Sequence, residues 1–415
     1  MNSRLLTSRN PQDDVWRFLK YFLHGPIAEK RIREIRNLTS HEQKANVKKQ
    51  AEQISYCIRQ AEEYFDAAET VSLITKPLLL YYGAVSLSQA LVLLRRDGQY
   101  SFDFLRKHRR HQHHGLKGFG FENLQPDSVE YFLAGLSCQV NTKNESNQDI
   151  PWGHFPNFYE SLKPAPTILS LDVGDNRNQF RLKSETPAVS HDSRLLLTLV
   201  DTRFRLLQLA SFLPDLYFIF RELNIPSSIT RIRVDRFLNK VYRRIPLNEL
   251  ISPGPDINFL TDEIEHVEDL SNFYINDIDE GAQSKLLVLY RKLNPSIEVV
   301  SKTSDSLHLK LITIRKENDK PEQRFYPDIL SDYRGRQYLT LDPNNYVHEA
   351  ASLFMILYLL GMLARYYPDI WVRIITKNAQ IAQVLEKLLD VATLRFPILV
   401  LDQMTDTKHY VSANL

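Results

Sequence analysis

The 415 residues carry 52 Lys plus Arg against 50 Asp plus Glu, a formal charge of +2, and 43% apolar residues. That is enough apolar surface for large cores, and too balanced a charge for a globally basic nucleic-acid binder, so any phosphate contact must come from a local patch. The two cysteines, Cys57 and Cys138, form no CxxC pair, which excludes a disulfide framework or a Cys-based zinc site and points to a reduced, cytoplasmic protein.

The N-terminus lacks the apolar run of a signal peptide, and no continuous apolar run reaches ~18 residues, so no membrane association is expected. Residues 40–69 space Ile54, Cys57, Ile58, Ala61, Tyr64, Phe65 and Ala68 as one face of a long helix, which places Cys57 in the core. Thr75-Lys76-Pro77 opens a second helix that is apolar nearly all round, runs to about residue 96 and stops at Asp97-Gly98. Residues 127–137 predict a short helix and 140–160 a surface loop.

In the middle of the chain, TILSLDV (167–173) and NQFRLK (178–183) read as a hairpin, and Ile229–Phe237 as a half-exposed strand with Arg231 and Arg233 outward. An acidic run over 254–280 reads as a solvated face, and SIEVVSK and SLHLKLITIRK as strands. Residues 346–366 predict an apolar helix that Pro368 ends, 376–394 a further helix, and FPILVLD (396–402) a terminal strand. The fold class is then mainly α with a β portion, a helical bundle built from both ends of the chain. The regions expected are 1–140, 141–340 and 341–415, with the apolar helices of the first and last burying each other.

The densest chemistry lies in residues 106–120, which hold four of the twelve histidines (His108, His111, His113, His114), five cations and three of the thirteen glycines. Arg106, Lys107, Arg109, Arg110 and Lys117 can neutralise phosphates, and the amides of Gly115, Gly118 and Gly120 can approach an anion closely. His111, His113 or His114 could move a proton near neutral pH. The same imidazoles could ligate zinc, but the adjacent cations oppose a dication, so neither metal nor cofactor is expected. The plain alternative is a solvated basic loop that packs on the acidic segment 262–280 or on a partner. The arginines Arg231, Arg233, Arg236, Arg243 and Arg244, with Tyr242 among them, could extend a nucleic-acid surface or simply face solvent.

Three segments, KPLLLYYGAVSLSQALVLL (76–94), HHGLKGF (113–119) and FMILYLLGMLARYYPDIW (354–371), resemble the landmarks of the YaaC-like bacterial proteins. The resemblance implies a mostly helical bacterial protein and carries no site residues across. More distantly, the paired helices resemble HEPN domains of RNA-cleaving toxins, whose motif is an arginine and a histidine with four to six residues between them. Arg106 with His111 or His113, and Arg109 with His114, meet that spacing, although Lys107 and Arg110 stand where such enzymes commonly place an uncharged polar residue.

Three functions stay open. The first is a nucleic-acid or phosphate-binding component of a bacterial intracellular system for antiviral defence or stress, contacting RNA or DNA and a partner protein of the same operon. The second is a metal-independent HEPN-type ribonuclease acting as a homodimer through Arg106, Arg109, His111 and His114. The third is a structural protein-interaction subunit.

Overall fold

A computed structural model describes residues 2–6, 10–39, 41–107, 113–122, 124, 128–145, 148–162, 168–173, 180–185, 199–241, 266–293, 297–316, 329–342 and 346–411. The chain opens with strand β1 (Asn2–Leu6), helix α1 (Pro11–Leu19) capped by Asn10, and α2 (Gly25–Arg36), which Asn37 ends in the left-handed conformation. Helix α3 (Lys44–Thr70) buries Val47, Ile54, Cys57, Ile58, Ala61, Phe65 and Ala68 against α4 (Lys76–Arg95). At Gly83 of α4 a Cβ would lie 2.7 Å from the Phe65 ring, so a side chain there would force the two helices apart.

Past α5 (Phe102–Lys107) come β2 (Leu116–Phe119), α6 (Val129–Gly135), β3 (Ser137–Val140), the hairpin β4–β5 (Thr142–Glu145, Gln148–Pro151) and α7 (His154–Tyr159). The expected surface loop at 140–160 is thus corrected. Every residue of α7 is buried, because Phe155 and Phe158 pack on Phe354 and the ring of His154 bonds Ser88 of α4. The Asn, Pro and Gly content of 140–160 resembles that of a loop, but the aromatics of α7 fill the bundle.

The antiparallel hairpin β6–β7 (Ile168–Val173, Phe180–Glu185) follows, then β8 (Phe204–Arg205), α8 (Leu206–Ser211) and α9 (Tyr217–Glu222). A six-stranded antiparallel sheet comes next in the order β11-β12-β10-β9-β14-β13. Its strands are β9 (Ile229–Val241), β10 (His266–Asn276), β11 (Ile297–Lys302), β12 (Ser306–Lys316), β13 (Ile329–Ser331) and β14 (Gln337–Thr340), with α10 (Glu280–Leu293) between β10 and β11. Part of the acidic run, 266–276, is strand β10 of this sheet, and beyond it Asp277, Asp279 and Glu280 are exposed. Ile232, Ile275, Leu307, Leu309 and Leu339 of the sheet meet Ile278, Ala282 and Leu286 to make a second, smaller core.

The chain closes with α11 (Glu349–Tyr366), α12 (Pro368–Lys377), α13 (Ala379–Thr405) and β15 (Thr407–Val411), which pairs in parallel with β1. Both α4 and α11 are long and apolar enough to cross a bilayer by composition, yet they pack on each other inside the bundle. Their contact is close because a Cβ at Gly361 would sit 3.1 Å from Tyr81 Cβ. The strand expected over 396–402 is instead the last part of α13, with Pro397 inside the helix. A run of Phe, Ile, Leu and Val that is buried on all sides has no period to separate strand from helix, and here the surrounding helices decide.

Candidate functional site

The histidine-rich segment is split between two parts of the fold. Arg106 and Lys107 are exposed on α5, which is tied to α3 by the Lys49–Asp103 ion pair and by the Phe102 amide donating to Gln53 Oε1 at 3.0 Å. His108, Arg109, Arg110 and His111 lie outside the described residues. His113 is exposed and His114 half-buried, and their carbonyls accept from the His154 and Phe155 amides at 2.9 and 3.0 Å. Of the arginine–histidine pairs, only Arg106 with His113 lies within the described residues, and these two are held by different neighbours, α3 and α7.

The His114 ring packs against both Tyr81 and Tyr358 (centroids 5.5 and 5.9 Å), and its Nδ1 shares a 2.7 Å hydrogen bond with the Tyr81 hydroxyl. Burial, then the Arg365 charge, then His113 lower its pKa and favour neutral imidazole. Arg365 lies over Tyr366 at 5.1 Å and donates to the Tyr82 hydroxyl.

The GLKGFG stretch is not an open anion loop. Leu116–Phe119 forms a strand whose Gly118 is paired with Cys138 of β3. A Cβ at Gly118 would lie 2.6 Å from the Phe121 ring, at Gly115 2.6 Å from Pro156 Cδ, and at Gly120 2.0 Å from the Gly135 carbonyl oxygen. The glycines allow close approach of neighbouring chain, which removes the cradle expected of Gly115 and Gly118. Two conformations also demand glycine, since φ is +83° at Gly115 and +88° at Gly120.

Alternate residues of β2 face outward. Phe119 carries the Arg203 guanidinium 3.8 Å above its ring centroid and the Lys117 ammonium at 5.3 Å, and Lys117, Arg203 and Arg205 are exposed. Two residues on, Phe121 stacks on Tyr367 with centroids 5.2 Å apart and planes 15° apart. Cations set over partly exposed rings thus border β2, and Arg203 is a member that the sequence did not single out. Arg231 and Arg233 belong to a different sheet, exposed on β9, with Arg231 5.7 Å over the Phe218 ring.

A second set of residues lies outside the candidate sites read from the sequence. Arg395, fully buried on α13, donates from Nε and Nη2 to both oxygens of Glu349 (2.6 and 2.8 Å) and from Nη2 to the Ser331 carbonyl at 2.7 Å. Asp215 Oδ2 lies 3.7 Å from Arg395 Nε, and Asp332 accepts from the amides of Arg334 and Arg336. Nearby, Asp402 Oδ1 accepts from the His409 amide and pairs with its ring, and Asp402 Oδ2 faces Lys408 Nζ at 3.5 Å. The sequence signals were a lone arginine between two apolar stretches and, at the start of the apolar helix 346–366, His348 and Glu349, charges suited to a buried ion pair or a cap. The partners of Arg395 at 215, 331 and 349 are not local. The network joins the β13 edge to the bundle, and its enclosure suits a structural joint more than an open site.

Burial pushes the Asp215 carboxyl up to about 7, against the pull of Arg395 and with Glu349 and Asp332 adding to the rise. An acid with a raised folded pKa favours folding while protonated, so its share of stability is complete below about pH 4 and is lost as pH rises through about 7. Buried His154, lowered to about 3, acts oppositely and loses stability as pH falls below about 6.5. Asp215→Asn keeps an acceptor for the Tyr333 amide. The difference in unfolding free energy between this variant and wild type should change steadily from pH 4 to 7; a constant difference would show that Asp215 does not titrate there.

Among the described residues, no three His, Cys, Asp or Glu side chains are placed to hold a metal ion. The profile of the YaaC-like protein family matches residues 20–404, from the turn after α1 to the end of α13. The chain belongs to the YaaC-like family. No curated protein and no solved structure matches it. The matched span of this YaaC-like protein takes in the β2 surface, the arginines of β9 and the Arg395 joint.

Proposed function

We propose that this YaaC-like protein binds nucleic acid at the cation–aromatic surface of β2, as a component of a bacterial intracellular system. The observation that carries the reading is the Phe119 ring under Arg203 and Lys117. A guanidinium held by its flat face keeps its edge N–H groups for phosphate oxygens, and a partly exposed ring offers a base a surface to stack on. Arg205 is exposed on the same face as Arg203, and His113 is exposed three residues before β2. A role in defence or stress follows only if the bound nucleic acid is foreign or damaged.

The ribonuclease alternative draws on His114, a neutral and partly accessible imidazole bonded to Tyr81 beside the Arg365 charge. It needs a proton acceptor and a phosphate-facing cation, and these two side chains are of the right kinds.

Binding to labelled RNA and DNA should weaken as salt rises, because each neutralised phosphate releases counterions. Arg203→Ala with Lys117→Ala should lower affinity by about tenfold and flatten the log affinity against log salt slope by about 2. An unchanged salt slope would remove this surface from the interface. RNA incubated in EDTA with wild type and His114→Ala separates binding from cleavage: RNA that stays intact with wild type excludes the ribonuclease reading.

A further inference from the structure

The six-stranded sheet has two unlike faces. Alternation sends Ile232, Ile275, Leu307, Leu309 and Leu339 to the face filled by α10. The opposite face presents Arg231 and Arg233 from β9, Tyr274 from β10, and His308 and Lys310 from β12. Cross-strand register places Tyr274 directly opposite His308, and Arg233 opposite Asn276, so Arg233 is the diagonal neighbour of Tyr274.

The Tyr274 and His308 rings stack, with centroids 4.0 Å apart and planes inclined by 19°, and Tyr274 remains 37% exposed. Arg231 and Arg233 are exposed on the same face, separated by ~6.7 Å of strand, close to the reach of one extended nucleotide. Arg231 continues the row to Phe218, and Lys310, 3.7 Å from Glu298, closes the other side. Rings and cations therefore share this sheet face, with two carboxylates among them: Asp235 at the register position opposite Tyr274, and Glu298 paired with Lys310.

We infer that this sheet face is a second binding surface, specific for single-stranded nucleic acid, where an unpaired base stacks on the Tyr274–His308 pair while Arg231 and Arg233 hold the flanking phosphates. A duplex cannot use it, because its bases are already stacked and paired, so only a strand with free bases gains from the rings. The inference rests on the nucleic-acid reading above but uses different residues, which lets the two be tested apart.

The test is the affinity of the full-length protein for a short labelled oligouridine and for a blunt RNA duplex, with thermal midpoints checked for each variant. Tyr274→Ala should weaken the single strand by about tenfold or more and leave the duplex unchanged, while Tyr274→Phe retains the affinity. Arg233→Ala should also weaken the single strand. The inference is overturned if Tyr274→Ala and Arg233→Ala both bind oligouridine as wild type does. It also fails if Tyr274→Phe loses as much as alanine, or if single strand and duplex weaken together. Loss confined to the Arg203 and Lys117 variants leaves the β2 reading standing alone, and wild type that binds neither probe refutes both.

Discussion

Arg395→Met should be one of the most damaging single substitutions in this protein, costing about 3–5 kcal/mol. Its guanidinium satisfies both oxygens of Glu349 and lies against Asp215, each of them buried. Without it, two carboxyls stay in a low-dielectric interior without the cation that sits against them, and one of them must take up a proton or the joint must open to water. Glu349→Met leaves the converse, a buried guanidinium whose nearest carboxylate is Asp215. The double variant Arg395→Met with Glu349→Met removes the charges together, so it should recover most of the loss, because well-packed apolar groups can replace a buried pair at little cost. Urea unfolding of the four proteins measures the coupling. Additive losses would show that the pair contributes no interaction beyond the volume of its side chains.

Gly120→Ala should cost about 2–5 kcal/mol, through the sum of a strained backbone and an overlap. At φ +88° a Cβ is disfavoured, and here it would also sit 2.0 Å from the Gly135 carbonyl, a backbone atom that cannot rotate away. Strand β2 would have to move from the end of α6, taking Lys117 and Phe119 with it, so nucleic-acid affinity should fall along with stability. Gly25→Ala is the control. It opens α2 with nothing within 4 Å of its Cβ and should change stability by no more than about 0.5 kcal/mol. Equal midpoints for Gly120→Ala and wild type would mean that this crossing yields without cost.

Sequence alone was enough for long elements whose pattern is carried by many residues. Helix α3 announces itself through its apolar stripe, α4 through a Pro start and an Asp-Gly stop, and β9 through outward Arg231 and Arg233 alternating with inward Thr230 and Ile232. The requirement that α4 and α11 bury each other followed from the same reasoning, since neither has a polar face to give to water.

The candidate site was less legible. Residues 106–120 stood out by composition, but composition could not tell that Arg106 and His114 would be held by different neighbours, or that Gly118 would sit in a strand instead of a loop. Arg203 and Tyr274 carry no local mark at all. Each matters because of what the fold brings beside it, Phe119 in one case and His308 in the other.

Local sequence thus determined the course of the long helices α3, α4 and α11, the face of β9 that meets water, and where cations are concentrated, because periodicity and capping act between near neighbours. Tertiary structure alone decided that Phe396–Asp402 stays helical, that the glycines near β2 serve chain crossings, and that Asp215, Ser331, Glu349 and Arg395 meet in one buried joint. Those outcomes depend on burial, which removes the solvent that would otherwise satisfy each polar group and makes its partner a property of the whole fold.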